Sequence, residues 1–218
     1  MIGEAMQAAE RRQKKTELKR EAILRSAAAA FRRKGYHGTS MEDISDALLM
    51  TKGSLYYYFK DKEEILFACH DFSLDRVLER TREVLEEQKD STASEKLSAL
   101  IDALVHVMID ELQGSALALD FAALRDELLA QIITKRDQFE RSMRVVINEG
   151  VKAGEFRNVD SKLATFAILG AINWISKWYR PDGAFQASDI GRMYSDLFVK
   201  GLSQSGLDRA QGKLPKTK

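Results

Sequence analysis

Apolar residues recur at three- and four-residue steps through most of the chain, and nowhere do they alternate with polar residues over a sustained stretch. That is the period of a helix, and an all-α fold of about nine helices is predicted. Ile23, Leu24, Ala27, Ala28 and Phe31 form one stripe over 16–34, and Gly35 stands where a helix C-terminus favours glycine. Ser40 and Asp43 have the spacing that satisfies free amides at a helix start, so a short helix over 41–48 follows, buried through Ile44 and Ala47. Leu49-Met50 make a turn, Thr51 caps a third helix over 52–59, and a long helix over 62–88 begins with Glu63 and Glu64 at its positive end.

Beyond a polar stretch at 90–94, Leu97, Leu100, Ile101, Leu104, Val105, Met108 and Leu112 give a clear amphipathic pattern that stops at Gly114-Ser115. Helices are expected over 116–124, 127–152, 160–179 and 188–202. The helix over 160–179 is apolar all round, which requires cover on several faces. A second copy of the chain is the expected cover, through Phe166, Leu169, Ile172 and Ile175 on that helix and Met193, Leu197 and Phe198 on the next. Residues 1–15 read as a flexible basic arm and 207–218 as a frayed tail.

Composition narrows the function. Two prolines in 218 residues leave long stretches without a helix breaker. One cysteine, Cys69, cannot form an internal disulfide, and MIGEAMQAAERRQ has no apolar run of signal-peptide length, so the cytoplasm is the expected compartment. The longest apolar-rich run, 163–175, falls well short of the ~20 residues that span a bilayer. Three histidines and one cysteine lack metal-ligand spacing, and no phosphate cradle or nucleophile elbow is present. No enzyme, metal or cofactor is therefore expected.

The net charge of +1 hides a division: residues 1–62 carry 13 Lys/Arg against 8 Asp/Glu, net +5, and the remainder carries 21 against 25, net −4. Six of the 13 are Arg11, Arg12, Lys14, Lys15, Lys19 and Arg20. A solvated tail accounts for such a run; beside a helix-turn-helix it becomes a surface suited to phosphates.

The sharpest signal is 39–62, TSMEDISDALLMTKGSLYYYFKDK. In the third helix Leu55 and Phe59 lie one turn apart and face inward. Successive residues rotate by ~100°, so Tyr56 and Tyr57 must face outward. With Thr51, Lys52, Gly53 and Ser54 they form a polar tip sized for a major groove ~12 Å wide. The competing account is aromatic packing against neighbouring helices; Tyr58, near the Leu55 edge, divides between the two roles.

This run resembles the DNA-binding segment of the TetR family of bacterial transcriptional repressors. The matching elements are Thr39-Ser40, Ile44-Ser45, Thr51-Lys52-Gly53-Ser54-Leu55-Tyr56-Tyr57-Tyr58-Phe59 and Lys62-Glu63-Glu64-Ile65, preceded by the helix from Ile23 to Gly35. The resemblance covers about 16–70; beyond it only helix number and order agree. It implies an N-terminal three-helix DNA-binding domain over 16–62 and a helical effector-binding and dimerisation domain over 63–206. It also implies that Thr51, Lys52, Gly53 and Tyr57 approach base edges, with Ser54 in the same tip, while Thr39, Ser40, Tyr56, Tyr58 and Lys62 meet phosphates. Where the family usually has glycine between its second and third helices, this chain has Leu49. A non-glycine held there at positive φ costs on the order of 1 kcal/mol.

A homodimer on a palindromic double-stranded DNA operator, released by a small-molecule effector, is what the resemblance implies for partners. Phe72, His106, Met108, Phe121, Phe139, Asn173, Trp174 and Trp178 are candidate effector contacts, although residues such as Phe72, His106, Met108, Phe121 and Phe139 more often belong simply to a core or its boundary, and the face of Trp174 and Trp178 to a dimer seam. Gly170-Ala171-Ile172-Asn173-Trp174-Ile175-Ser176-Lys177-Trp178-Tyr179-Arg180-Pro181 is similar to a signature of TetR-type regulators of lipid, sterol and aromatic-acid catabolism, several of which answer acyl-CoA thioesters. An acyl-CoA is thereby a candidate effector. A DNA-binding regulator without a ligand, and a helical adaptor that binds only protein, remain as alternatives; the adaptor leaves Lys52, Tyr56 and Tyr57 without a task.

Overall fold

The computed structural model describes residues 2–110 and 121–204, and within them the chain forms eight α-helices and no β-strand. They are α1 (Ile2–Lys34), α2 (Met41–Ala47), α3 (Lys52–Tyr58), α4 (Lys62–Glu87), α5 (Ala93–Asp110), α6 (Asp126–Lys152), α7 (Ser161–Trp178) and α8 (Ala187–Leu202). The stop expected at Gly114-Ser115, most of the helix expected over 116–124, and the tail over 207–218 lie outside the described residues. A single 3-10 turn, Phe121–Ala123, precedes α6.

The N-terminal start differs from expectation. Helix α1 begins at Ile2, not near residue 16, because the stretch before Thr16 carries no proline and continues the α1 backbone ladder. Side chains over 9–18 are exposed, so these turns project as a rod that buries nothing of its own. The charged run is thus displayed on a helix.

Two apolar clusters organise the rest. One joins Ile23, Leu24, Ala27, Ala28 and Phe31 of α1 to Ile44, Leu55, Phe59 and the start of α4. The larger joins α5 to the far half of α6 and to α7 and α8. Helix α6 belongs to both: Ile132 packs with the N-terminal cluster, whereas Phe139, Met143, Val146 and Ile147 pack with the C-terminal one. Cys69 is fully buried in the N-terminal cluster, where desolvation pushes its thiol well above the usual range and leaves it unreactive.

Helix starts follow their capping residues. Ser40 and Asp43 form a capping box at α2, and Asp61 accepts from the Glu64 N–H at α4. At α5, the Thr92 hydroxyl accepts from the Glu95 N–H at 3.2 Å while the Glu95 carboxylate accepts from the Thr92 N–H at 2.9 Å. The Glu155 carboxylate, brought from the α6–α7 connection, takes the next two amides, Ala93 N–H at 3.0 Å and Ser94 N–H at 2.9 Å. Burial works against ionisation of Glu155, but these bonds and nearby Lys96 outweigh it and hold the carboxyl below its usual range.

Candidate nucleic-acid interface and apolar cavity

The local geometry of α2 and α3 starts from the turn between them. Leu49 adopts φ 51°, the left-handed conformation, and is 97% exposed, so its side chain returns nothing for the strain. The turn closes through Leu49 N–H to Asp46 O at 3.0 Å and Met50 N–H to Ser45 O at 2.9 Å. Thr51 then caps α3, its hydroxyl accepting from the Ser54 N–H at 3.2 Å. The family's two-helix turn is therefore kept despite the missing glycine.

On α3, Leu55 and Phe59 are buried, which turns the opposite face outward. Tyr57 is 81% exposed, and Tyr56, Lys52, Gly53 and Ser54 are also exposed. Tyr58 is half-buried against the core and meets the Tyr57 ring edge-to-face at 5.1 Å, which steadies the outer ring. A Cβ built on Gly53 meets nothing within 4 Å. The fold itself does not need glycine there.

Lys52 is not a bare cation. Its ammonium is paired with the Glu42 carboxylate on α2, which lowers the Glu42 pKa and raises that of Lys52 through their mutual hydrogen bond. The pair spans ten residues across a turn, so helical spacing gave no hint of it.

Two residues expected at phosphates have other work here. Thr39 is buried, and its hydroxyl donates to Gly35 O at 2.9 Å, closing the end of α1. Lys62 directs its ammonium inward, to Tyr36 O and Thr39 O, each at 2.7 Å, and over the Tyr36 ring at 4.3 Å. Both hold the α1–α2 connection against α4 because orphan carbonyls at a helix end attract donors. Ser40 remains exposed while closing the α2 cap. Arg20, read only as part of a basic run, stacks its guanidinium on Phe59 at 4.3 Å and donates to Tyr58 O at 3.1 Å, clamping the end of α3.

In the C-terminal half, a cavity of about 420 Å³ opens between α4, α5, α6 and α7. Leu74, Val77, Leu104, Met108, Phe139, Phe166, Leu169 and Ile172 give it apolar walls, and Arg136, Asp137, Glu140 and Asn173 supply its polar groups. Of the candidate effector contacts, Met108, Phe139 and Asn173 line it. The others do not. Phe72 and Phe121 pack against the N-terminal cluster, and the His106 ring bonds to Asp102 O at 2.9 Å along its own helix. Trp174 and Trp178 face outward from α7.

The expected dimer surface divides as well. Ile168, Ile172 and Ile175 share the inward face of α7, leaving Ile172 and Ile175 each 1% exposed in the monomer core and unable to meet another chain. A helix apolar all round conceals which face turns inward. The exposed face carries Leu163, Phe166, Trp174 and Trp178, beside Met193 and Leu197 on α8. Leu169 lines the cavity, and Phe198 is half-buried beside a groove between α7 and α8.

A three-helix unit whose last short helix is capped, turned outward and tipped with polar and phenolic groups is a helix-turn-helix module, here joined to a larger helical domain with an internal cavity. Residues 23–69 match the tetR family of bacterial regulatory proteins, and residues 90–202 match the tetracyclin repressor-like C-terminal domain. The HTH-type transcriptional repressor KstR2 of Mycobacterium tuberculosis is 30% identical over 204 residues, spanning 87% of this chain and 95% of its own. The fatty acid metabolism regulator protein of Bacillus subtilis is 25% identical, over 83% of this chain and 93% of its own. Among solved structures, that of KstR2 of Mycobacterium tuberculosis superposes with a TM-score of 0.76 at 26% identity, covering 85% of this chain and 95% of that one. AibR in complex with isovaleryl coenzyme A and operator DNA superposes with a TM-score of 0.70 at 27% identity, covering 84% and 97%. The chain belongs to the TetR family of bacterial transcriptional regulators. Among its described residues, no helix is long and apolar enough to cross a membrane.

Proposed function

We propose that this chain is a cytoplasmic repressor that binds a palindromic operator as a homodimer and leaves it when an acyl-CoA thioester enters the cavity of the C-terminal domain. The observation that carries the DNA reading is the tip of α3. Lys52, Gly53, Ser54, Tyr56 and Tyr57 are all exposed on a helix that packs through Leu55, half-buried Tyr58 and its cap Phe59. Lys52 has the donor to read guanine O6 or N7, and Tyr57 and Thr51 are also exposed at the tip; exposed Ser40 and Tyr56 would supply hydroxyls to backbone phosphates. Gly53 leaves space at the tip for a base edge or sugar.

Dimerisation is supported by the exposed apolar face of α7 and α8, which is larger than isolated surface residues account for. The α7–α8 groove, about 360 Å³ and lined by Leu163, Ala167, Leu197 and Leu202, would receive side chains of the second copy. A two-fold arrangement presents two reading helices about one duplex turn, ~34 Å, or a multiple of it apart.

The effector reading rests on the cavity together with the relatives. About 420 Å³ sits near the lower end of the ~300–1,000 Å³ typical of small-molecule sites, a size that takes an acyl chain and leaves a nucleotide outside. One relative is a fatty acid metabolism regulator protein, and one similar structure is that of AibR in complex with isovaleryl coenzyme A and operator DNA. Release requires that the effector prefer the state in which the reading heads do not match the operator.

Footprinting on DNA flanking the chain's own gene tests this reading. Two protected half-sites related by a dyad, lost on addition of a medium-chain acyl-CoA, are expected. A single unsymmetrical footprint, or protection indifferent to every acyl-CoA tried, contradicts the dimer and the effector parts respectively.

A further inference from the structure

The polar groups of the cavity are unequal. Glu140 is drawn to Arg144 at 3.4 Å, and Asn173 is neutral. Arg136 is different: its side chain is half-buried in the cavity wall and its guanidinium carbon lies over the Phe121 ring, 4.6 Å from the centroid. Among the described residues no carboxylate lies within ion-pair distance of it. Its neighbour Asp137 attracts it only at longer range, and desolvation by burial draws its pKa below the usual range all the same. A guanidinium that is positioned by an aromatic ring, partly dried and, among the described residues, without a carboxylate in ion-pair contact is arranged for an acceptor from outside the chain. Apart from Asp137, Glu140 and Asn173 the rest of the wall is apolar, so that acceptor arrives attached to a hydrocarbon body.

We propose that Arg136 anchors the effector by its acyl carbonyl or carboxylate end, selecting acyl thioesters and free acids over neutral lipids of the same length. This deepens the effector reading of the cavity and rests on it. The planar fork of Arg136 matches the two lone pairs of a carboxylate, and one of its N–H groups can donate to a thioester oxygen. The hydrocarbon would then run inward past Phe139 toward Met108 and Leu104.

Isothermal titration of the full chain with octanoyl-CoA, octanoate and octan-1-ol tests the proposal, using wild type, Arg136→Met, Arg136→Lys and the rim variant Ile133→Trp. Ile133 is already 43% exposed, so its enlargement blocks the cavity without overfilling the core, and the apo melting temperature verifies that each variant folds. Wild type is expected to bind octanoyl-CoA, octanoate or both at least tenfold more tightly than octan-1-ol, and which of the two binds separates a thioester effector from a free acid. Arg136→Met should weaken the charged ligand about tenfold or more and erase its advantage over the alcohol. Arg136→Lys should restore part of that advantage, since it keeps the charge and loses the fork. If Arg136→Met binds like wild type while Ile133→Trp does not bind, the cavity is the effector site and the anchoring role is overturned. If Ile133→Trp binds like wild type, or none of the three ligands binds wild type, the cavity reading fails and the anchor fails with it.

Discussion

The Glu42 carboxylate on α2 holds the Lys52 ammonium at the tip of α3. The pair ties the two helices of the helix-turn-helix together and occupies the cation proposed to read a base. Both side chains are exposed, so the attraction is screened and modest. On the proposed reading, Lys52 would have to choose between Glu42 and a guanine edge, and Glu42 would add a negative charge beside the duplex. Glu42→Gln is therefore expected to raise operator affinity roughly three- to tenfold with little change in melting temperature. Fluorescence anisotropy titrations on operator and scrambled duplexes would show it; weaker binding by Glu42→Gln would mean that the pair positions Lys52 for reading.

Lys62 was expected at a phosphate, and its geometry calls for a different outcome. Its ammonium donates to Tyr36 O and Thr39 O and covers the Tyr36 ring. Lys62→Met should lower unfolding stability by about 1–3 kcal/mol in a urea titration, because it leaves two carbonyls without their charged donor. A stable variant whose DNA affinity falls alike on all sequences would instead restore the phosphate role.

Leu49 adopts φ 51° with its side chain almost wholly in water. Leu49→Gly removes the left-handed strain, partly offset by the greater freedom of glycine in the unfolded chain. A net gain of roughly 0.5–1 kcal/mol is expected from chemical denaturation. A loss of stability would show that Leu49 contributes something beyond the turn.

Acid sensitivity should trace partly to Glu155. Its carboxyl is held below its usual range by the Ala93 and Ser94 amides against the opposing effect of burial. A depressed carboxylate contributes stability that is complete above the unfolded value of about 4.3 and is lost as pH falls through the folded value. Glu155→Gln should lower stability at neutral pH by roughly 1 kcal/mol, with solvent screening already discounted, and the difference from wild type should vanish at low pH. Thermal melts at a series of pH values check this; a difference independent of pH would assign the effect to shape alone.

The limits of the sequence reading are physical. The caps at Ser40 and Thr51, the inward Leu55 and Phe59 and the outward Tyr57 follow from spacing, because rotation along a short helix leaves one solution. Spacing does not say where a long side chain bends. Lys62 has the residue type of a phosphate ligand, yet the open carbonyls of the α1–α2 connection lie within its reach. Glu42 and Lys52 meet only once the turn has folded. Helix α7 presents apolar residues on all sides, so the sequence left open which of Ile172, Ile175, Trp174 and Trp178 turn inward; the cavity claims Ile172, and the C-terminal core holds Ile175 as well. Arg136 has no sequence signal, since one arginine on a charged helix looks like any other until its neighbours are known.

The central claim, that the outward face of α3 reads a duplex, is tested most directly by Tyr57→Ala and Lys52→Ala in parallel operator and scrambled-DNA titrations at several salt concentrations. Tyr57 is 81% exposed, so its removal should leave the fold intact. Both variants are expected to keep the wild-type melting temperature while losing about 1–3 kcal/mol of preference for the operator. Wild-type discrimination retained by both would contradict the account.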